Sequence, residues 1–533
     1  MTPTVTSTDP ADLVERHRET LQQALAATHH RGYWSAYPES PKAYGPEAAE
    51  AGRAAFDALR GRPFPLDQPG TIGTVASERS PYGLPLDIAY PHPDIEVLLR
   101  AAQAGIPAWR DAGPDVRAGV CLEILARINA RSHEMAYAVM HTSGQGYAMA
   151  FQAGGPHAQD RALEAVAYAY DEMTRHPRQA VWEKPQGNRP PQRMTKRFTV
   201  VPRGVALVVG CNTFPTWNAY PGLFASLVTG NAVVVKPHPR AVLPLALTVA
   251  IAREVLAETG FAPDLVALAA EEPGEGLAKV LATHPAVRVV DYTGSTAFGE
   301  WLEANARQAV VYTEKAGVNC VVLDSTDDYQ GLLANLAFSL SLYSGQMCTT
   351  PQNLLIPRDG LRADGAVRSV EEFGADLRGA IDGLLGDDAR AAALLGGIVN
   401  DAVLDRLARA PAYGATVVPS RAVRHPEFPD ATVRTPVVVR VDVADRDVWL
   451  GEHFGPVSFL VTTGSTAESL AVLRDTVRSH GAITASVYST DEAVLAAAEE
   501  VALDAGVALS CNLTDGVYVN QSAAFSDFHA TGA

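Results

Sequence analysis

The sequence predicts an α/β protein built on parallel sheets, and three observations carry that expectation. Short unbroken apolar runs recur from residue 204 onward: "GVALVVG" (204–210), "AVVVKP" (232–237) and "VRVVDYTGST" (287–296). Runs of this length suit strands buried on both faces. Helical patterns at 219–230, 243–260 and 275–284 separate them, so strand and helix alternate as in a sheet with crossover helices. The alternation resumes over 318–505, with strands expected at "NCVVLD", "QNLLIP", "ATVVPS", "VSFLVTT" and "TASVYS". That stretch reads as a second α/β unit.

In chain order, residues 1–185 are rich in helical patterning. Residues 115–140 and 157–173 place apolar side chains at helical spacing. Residues 184–198, "KPQGNRPPQRMTKRF", are dense in proline, glycine and basic residues and predict a linker or a turn before a strand. The first parallel unit follows. Sheets of this kind bind ligands beyond the carboxyl ends of their strands, which directs attention to the residues just after each apolar run.

Composition bounds the functional classes. The chain has 533 residues, 47% apolar and 19% charged, enough for a folded protein of two to four units with a large core. A formal net charge of −17 argues against nucleic acid or an anionic membrane as main partner. The N-terminus lacks a basic start followed by an apolar run, and no stretch reaches the ~18 apolar residues of a membrane span. Cys121, Cys211, Cys320, Cys348 and Cys511 are scattered, odd in number and without a CxxC pair. No disulfide framework and no metal site is expected, and a reducing cytoplasm is the expected compartment.

Several motifs bear chemistry. "YTGSTAFG" (292–299) follows a strand and opens a helix. Gly294 permits a tight turn, Ser295 or Thr296 can cap, and the helix start suits a phosphate; a plain capped turn is the other reading. Lys236 ends an apolar strand, where it can reach a ribose or phosphate or simply face solvent. Cys348, in "YSGQMCTT", sits in what reads as a loop leading into a helix. A helix start would lower its pKa, whereas a buried structural cysteine would be inert. Asn212, in "GCNTFP", can donate to an oxyanion or serve a turn, and Glu314, in "VYTEKAG", can act as a base or lie exposed.

Taken in order, these motifs resemble one family. Asn212, Lys236, "TGST" at 293–296, Glu314, "GQMC" at 345–348 and "EHFGPV" at 452–457 are similar to the NAD(P)-dependent aldehyde dehydrogenases, from about residue 101 to the C-terminus. The resemblance implies Cys348 as nucleophile, Asn212 as oxyanion donor and Glu314 as general base. It places Lys236, Pro239, Gly294, Ser295, Gly299, Glu452 and Phe454 at the cofactor, Glu452 at the nicotinamide ribose and Phe454 beside the ring. It also implies a Rossmann-like cofactor domain from 1–180 and 203–315, a catalytic domain at 316–505, and bridging or oligomerisation segments at 181–202 and 506–533. A small oligomerisation β-hairpin and a homodimer or homotetramer go with that organisation. Where NAD-preferring members often carry a glutamate, this chain has Pro239 between His238 and Arg240. Losing that carboxylate removes repulsion of a 2′-phosphate, so NADP is expected, with NAD as the alternative.

Three departures narrow the resemblance. "GCNTFP" replaces the usual "PWNFP" and leaves Asn218 as a second candidate amide. "KAGVNC" replaces "LGGKSP", and "FSDFHATGA" closes the chain. The family continues into an assembly strand, so a truncated end is expected. "GCNTFPTWNAYPGL" and "FSDFHATGA" look like the PaaN-type aldehyde dehydrogenases of phenylacetic acid degradation, similar to the dehydrogenase half of the ring-opening enzyme PaaZ. That likeness implies oxidation of a small-molecule aldehyde, a ring-opened semialdehyde with coenzyme A as a candidate part of it. The alternatives are an acylating dehydrogenase, in which free coenzyme A resolves the thioester, and a non-catalytic binding protein on the same fold.

Overall fold

A computed structural model describes residues 8–315, 317–514, 516–518 and 524–525. Two parallel sheets organise them. The first has five strands in the order Val266–Leu268, Ala232–Lys236, Val205–Val209, Val287–Gly294 and Val310–Lys315. All four pairings are parallel. The two inner runs, "VALVV" and "AVVVK", are buried at every position, the expected fate of strands covered by helices on both faces. Helices Pro215–Val228 and Leu243–Glu258 make the first crossovers, and Leu277–Thr283 and Thr296–Asn305 the later ones. The chain starts at the central strand, works outward to one side, then returns to build the other. That reversal beside Val205–Val209 opens a crevice at the strands' carboxyl ends.

The second sheet has seven strands: Ala415–Val418, Val437–Asp442, Val457–Thr463, Asn353–Pro357, Cys320–Leu323, Thr484–Tyr488 and Ala508–Cys511. Only the edge strand Ala415–Val418 runs antiparallel. The five strands expected from the sequence all lie in it. Val437–Asp442 and Ala508–Cys511 are additional.

The N-terminal third is helical, with a small sheet of Thr71–Val75 and Tyr90–Pro93. Its spine is Ile95–Ala130, which bends at Gly113, where φ is 84° just before Pro114. Glycine accepts that φ, and proline cannot complete the helical bond, so the bend has a local cause. The helical pattern at 115–140 divides at Arg131, and a second helix runs Ser132–Ser143. Helices Pro10–Arg16 and Arg18–His30 precede the spine. Buried Glu123 accepts from Arg16 (2.9 Å) and Arg127 (3.1 Å), and lies 2.8 Å from the His17 ring, tying those helices to the spine.

Residues 184–198 are not a linker. They form most of an antiparallel hairpin, Gln179–Gln186 against Arg189–Arg197, turning at Gly187. The prolines are tolerated because a two-stranded ribbon consists only of edges. Of the bridging segment expected at 506–533, residues 515, 519–523 and 526–533 lie outside the described residues. No described helix is long and apolar enough to cross a membrane.

Candidate active site

The crevice of the first sheet and the loops leading into inner strands of the second enclose one cleft of about 790 Å³. Asn212, Lys236, Pro239, Gly294, Ser295, Glu314, Cys348, Glu452 and Phe454 all line it. Of the expected catalytic and cofactor residues, Gly299 is the one that does not line it. A Cβ there would lie 2.6 Å from Lys315 Cγ, so glycine is needed for the helix to pack on its strand.

Cys348 does not open a helix, contrary to the sequence expectation. It lies in a turn between the short 3-10 segment Leu342–Gly345 and strand Asn353–Pro357. No helix start therefore lowers its pKa. Burial pushes the thiol well above its ordinary value, with the Glu314 carboxylate and Cys211 adding to the effect and Arg161 opposing it. At rest Cys348 is a neutral thiol beside a carboxylate.

The turn is held under strain. Tyr343 and Ser344 have φ of 53° and 50°, a region that costs non-glycine residues energy. The Tyr343 hydroxyl donates to the Ser143 carbonyl, and Ser344 Oγ to the carbonyls of Leu395 (3.1 Å) and Arg434 (3.0 Å). At Gly345 a Cβ would fall 2.6 Å from the Gly455 carbonyl oxygen, so the thiol turn and the "EHFGPV" loop touch backbone to backbone. Asn319 clamps the other side. Its Nδ2 donates to the carbonyls of Cys348 (2.7 Å) and Thr350 (3.1 Å), and its Oδ1 accepts from Ile483 (3.1 Å) and Thr484 (3.2 Å).

Glu314 sits on the last strand of the first sheet, in register with Thr293. Asn218 Nδ2 lies 3.1 Å from its Oε1 and 3.4 Å from Thr293 Oγ1. The two candidate amides thus differ in role. Asn218 fixes the carboxylate. Asn212 spends one N–H on the Thr142 carbonyl (3.1 Å) and retains a second donor at the cleft wall. Gln145 supports that loop through the Thr213 carbonyl (2.8 Å).

The cofactor end is more constrained than the sequence suggests. Lys236 is not a free cation; it is buried in an ion pair with Glu271. Burial lowers its pKa and the partner opposes this. Glu271 also accepts from the Leu277 amide (2.6 Å). Arg240 donates to the Val399 carbonyl (2.9 Å). His238 is pushed down to about 4, first by burial and then by Lys236 and Arg240, so it is uncharged at neutral pH. Helix Thr296–Asn305 has no side-chain cap bond from Ser295, and Ser295 at its start lines the cleft. Glu452 is raised by burial, with Arg406 opposing, and Arg406 Nε donates to the Phe454 carbonyl (2.9 Å). Gln352 holds the same loop through the His453 amide (2.7 Å) and the Trp449 and Gly451 carbonyls (both 3.0 Å).

Sequence reasoning missed Asn319, Gln352, Glu271 and Arg406, and left Asn218 as an alternative only. One signal was available: Asn319 and Gln352 adjoin the apolar strands "CVVL" and "NLLIP", where an amide is poorly tolerated unless fully bonded.

Comparison with known proteins agrees with this geometry. A sequence model of the aldehyde dehydrogenase family matches residues 89–526. The chain is 26% identical over 411 residues to the N-succinylglutamate 5-semialdehyde dehydrogenase of Paraburkholderia xenovorans (strain LB400), covering 76% of this chain and 78% of that one. It is 24% identical over 394 residues to a 1-pyrroline-5-carboxylate dehydrogenase of Bacillus cereus (strain B4264), covering 72% and 71%. Among solved structures, a NAD-dependent aldehyde dehydrogenase from Burkholderia multivorans superposes with a TM-score of 0.96 at 57% identity, over 98% of this chain and 94% of that one.

Proposed function

The chain belongs to the aldehyde dehydrogenase family, and from that premise we propose that it oxidises an aldehyde to a carboxylic acid through a thioester on Cys348. The observation carrying this reading is the convergence of Cys348, Glu314 and Asn212 on one cleft.

The cleft suits a dinucleotide. It offers the positive end of helix Thr296–Asn305 for a phosphate, the Lys236–Glu271 pair and Glu452 for ribose hydroxyls, and Phe454 for a ring face. Bound there, a nicotinamide cofactor would supply the hydride acceptor. No carboxylate stands at Pro239 to repel a 2′-phosphate, and the Arg240 charge remains at the wall, which supports use of NADP as well as NAD.

Because burial keeps Cys348 protonated, attack requires a base, and Glu314 takes the proton as the sulfur–carbon bond forms. The free N–H of Asn212 and the Cys348 amide hold the resulting oxyanion. After oxidation Cys348 carries a thioester. Glu314, oriented by Asn218, deprotonates the water that cleaves it, releasing the acid and restoring the thiol. A base fixed by a hydrogen bond favours water over free coenzyme A as the second nucleophile.

The substrate reading is finer. Cys348 also lines a second cavity of about 360 Å³, walled by Met149, Phe214, Trp217, Phe338, Leu342 and Met347 among others. An unsaturated chain fits such walls, which supports a ring-opened semialdehyde of phenylacetate breakdown. The exposed hairpin at 179–197, with Val181, Trp182 and Met194 on its surface, supports a homodimer or homotetramer.

The test combines both nicotinamide cofactors with a panel of aldehydes. Cys348→Ala should abolish cofactor reduction, and turnover surviving it would overturn the nucleophile assignment. Glu314→Gln should give at most one equivalent of reduced cofactor per site before stalling. Release of that stall by free coenzyme A, together with a coenzyme A requirement in the parent, would favour the acylating route.

A further inference from the structure

The cavity on the substrate side of Cys348 has an uneven charge inventory. Its walls are mostly apolar, and no lysine or arginine is among the described residues that line it. On that wall Glu39 Oε1 lies 3.1 Å from His157 Nε2. Arg161 lies close by, but its guanidinium stacks on the Trp217 ring (4.6 Å) and it does not line the cavity.

Glu39 comes from a segment that precedes residue 89, where the family match begins. The segment is anchored. Buried Asp160 accepts from Ser35 Oγ (2.5 Å) and from the Ala36 amide (3.0 Å). The Tyr44 hydroxyl donates to the Pro38 carbonyl (3.0 Å) and accepts from Asn129 Nδ2 (2.8 Å). These bonds fix residues 35–44 over the first turn of helix Pro156–Thr174, the turn that carries His157. The His157 partner holds the Glu39 carboxyl below its usual value, against the opposing effect of burial. Glu39 is therefore ionised at neutral pH.

A carboxylate on an entering aldehyde would meet Glu39, already engaged with His157, and, nearer the thiol, Glu314, with no lysine or arginine among the described wall residues to offset either. Partly desolvated like charges repel more strongly than they do in water. An uncharged chain meets mostly apolar walls and no like charge to repel it. We infer that the N-terminal segment is part of the substrate site, and that Glu39 makes it a filter admitting uncharged aldehydes and rejecting those with a carboxylate at the far end. The inference rests on the reading that this cavity receives the aldehyde.

The test has two arms, so that failure of the filter and failure of the enzymatic reading are separable. In the first, kcat/KM is compared for hexanal and its ω-carboxylate analogue, adipic semialdehyde, in the parent and in Glu39→Gln. The parent should prefer hexanal, and the variant should narrow the ratio by about tenfold. In the second, which needs no turnover, the Cys348 thiol is alkylated with neutral iodoacetamide or anionic iodoacetate. The rate ratio should exceed that of a free thiol and fall in Glu39→Gln by a similar factor. Because Glu314 is present in both proteins, the change reports Glu39. Glu39→Lys should narrow both ratios further. Ratios unchanged across all three proteins in the alkylation arm would overturn the filter whether or not any aldehyde is oxidised. A narrowed alkylation ratio without oxidation of either aldehyde would uphold the filter and count against the enzymatic reading.

Discussion

At the scale of single residues, the proposed base Glu314 has an unusual neighbour. Asp291 and Thr293 point to the same face of strand Val287–Gly294, and Thr293 pairs with Glu314. Helix Pro215–Val228 lies over that face, with Asn218 above Thr293 and Glu314 and Gly222, one turn on, above Asp291. A Cβ on Gly222 would sit 2.4 Å from the Asp291 carboxyl carbon, so glycine makes room for the acid. In the same helix Pro221 cannot bond the Trp217 carbonyl, and Arg161 reaches that oxygen at 3.5 Å. Asp291 is raised to about 7, by burial first and then by Glu314, with Arg161 opposing. For an acid raised in the folded state, the bound proton stabilises the fold at low pH. That contribution is lost as pH climbs from the unfolded value toward the folded one. Asp291→Asn should therefore gain melting temperature relative to the parent as pH rises from about 5 to about 8. An offset independent of pH in calorimetry would show that Asp291 ionises normally.

At the scale of elements, the thiol turn depends on Asn319 more than on any helix. Its four hydrogen bonds join the Cys348 turn to the strand at Thr484. Asn319→Ala would leave two carbonyls and two amides without their partner. A loss of about 1–3 kcal/mol is expected in chemical denaturation, together with a fall in kcat, because the turn carrying the proposed nucleophile loses its anchor. Full kcat at reduced stability would separate the clamp from the chemistry. The central strand of the first sheet poses a simpler test. Leu207 is fully buried, and Leu207→Ala should cost about 2–5 kcal/mol with little change in KM for any aldehyde, since the residue lies in the sheet and not at the cleft.

At the scale of the whole molecule, the hairpin at 179–197 is the feature least explained by a lone chain. A two-stranded ribbon is marginal by itself in water, and this one presents Val181, Trp182 and Met194 at 47%, 41% and 48% exposure. Trp182→Glu should shift the mass measured by light scattering toward monomer. An unchanged mass would remove the hairpin from the assembly. The N-terminal helices belong to this scale too, because Glu123 and Asp160 bind segments more than a hundred residues distant in sequence. Asp160→Ala should loosen residues 35–44 and raise their amide exchange, leaving the parallel sheets protected.

The sequence by itself determined the α/β class, both parallel units and the candidate site side chains that end or follow apolar strands. Those features are local: a short unbroken apolar run suits a buried strand, and the residues at its carboxyl end lie where such sheets bind ligands. The conformation around Cys348 was decided by tertiary contacts. The glycine before it reads as a helix entry, yet bonds from Ser143, Leu395 and Arg434 hold the chain in a strained turn, and burial, not a dipole, sets the thiol's state. The same holds for Lys236, whose partner Glu271 lies on a separate loop, and for Asn218, whose bond to Glu314 forms only when helix and strand pack. Pairings between residues far apart in sequence leave no periodicity to read. Only the folded chain brings Glu39 to the cavity of Cys348.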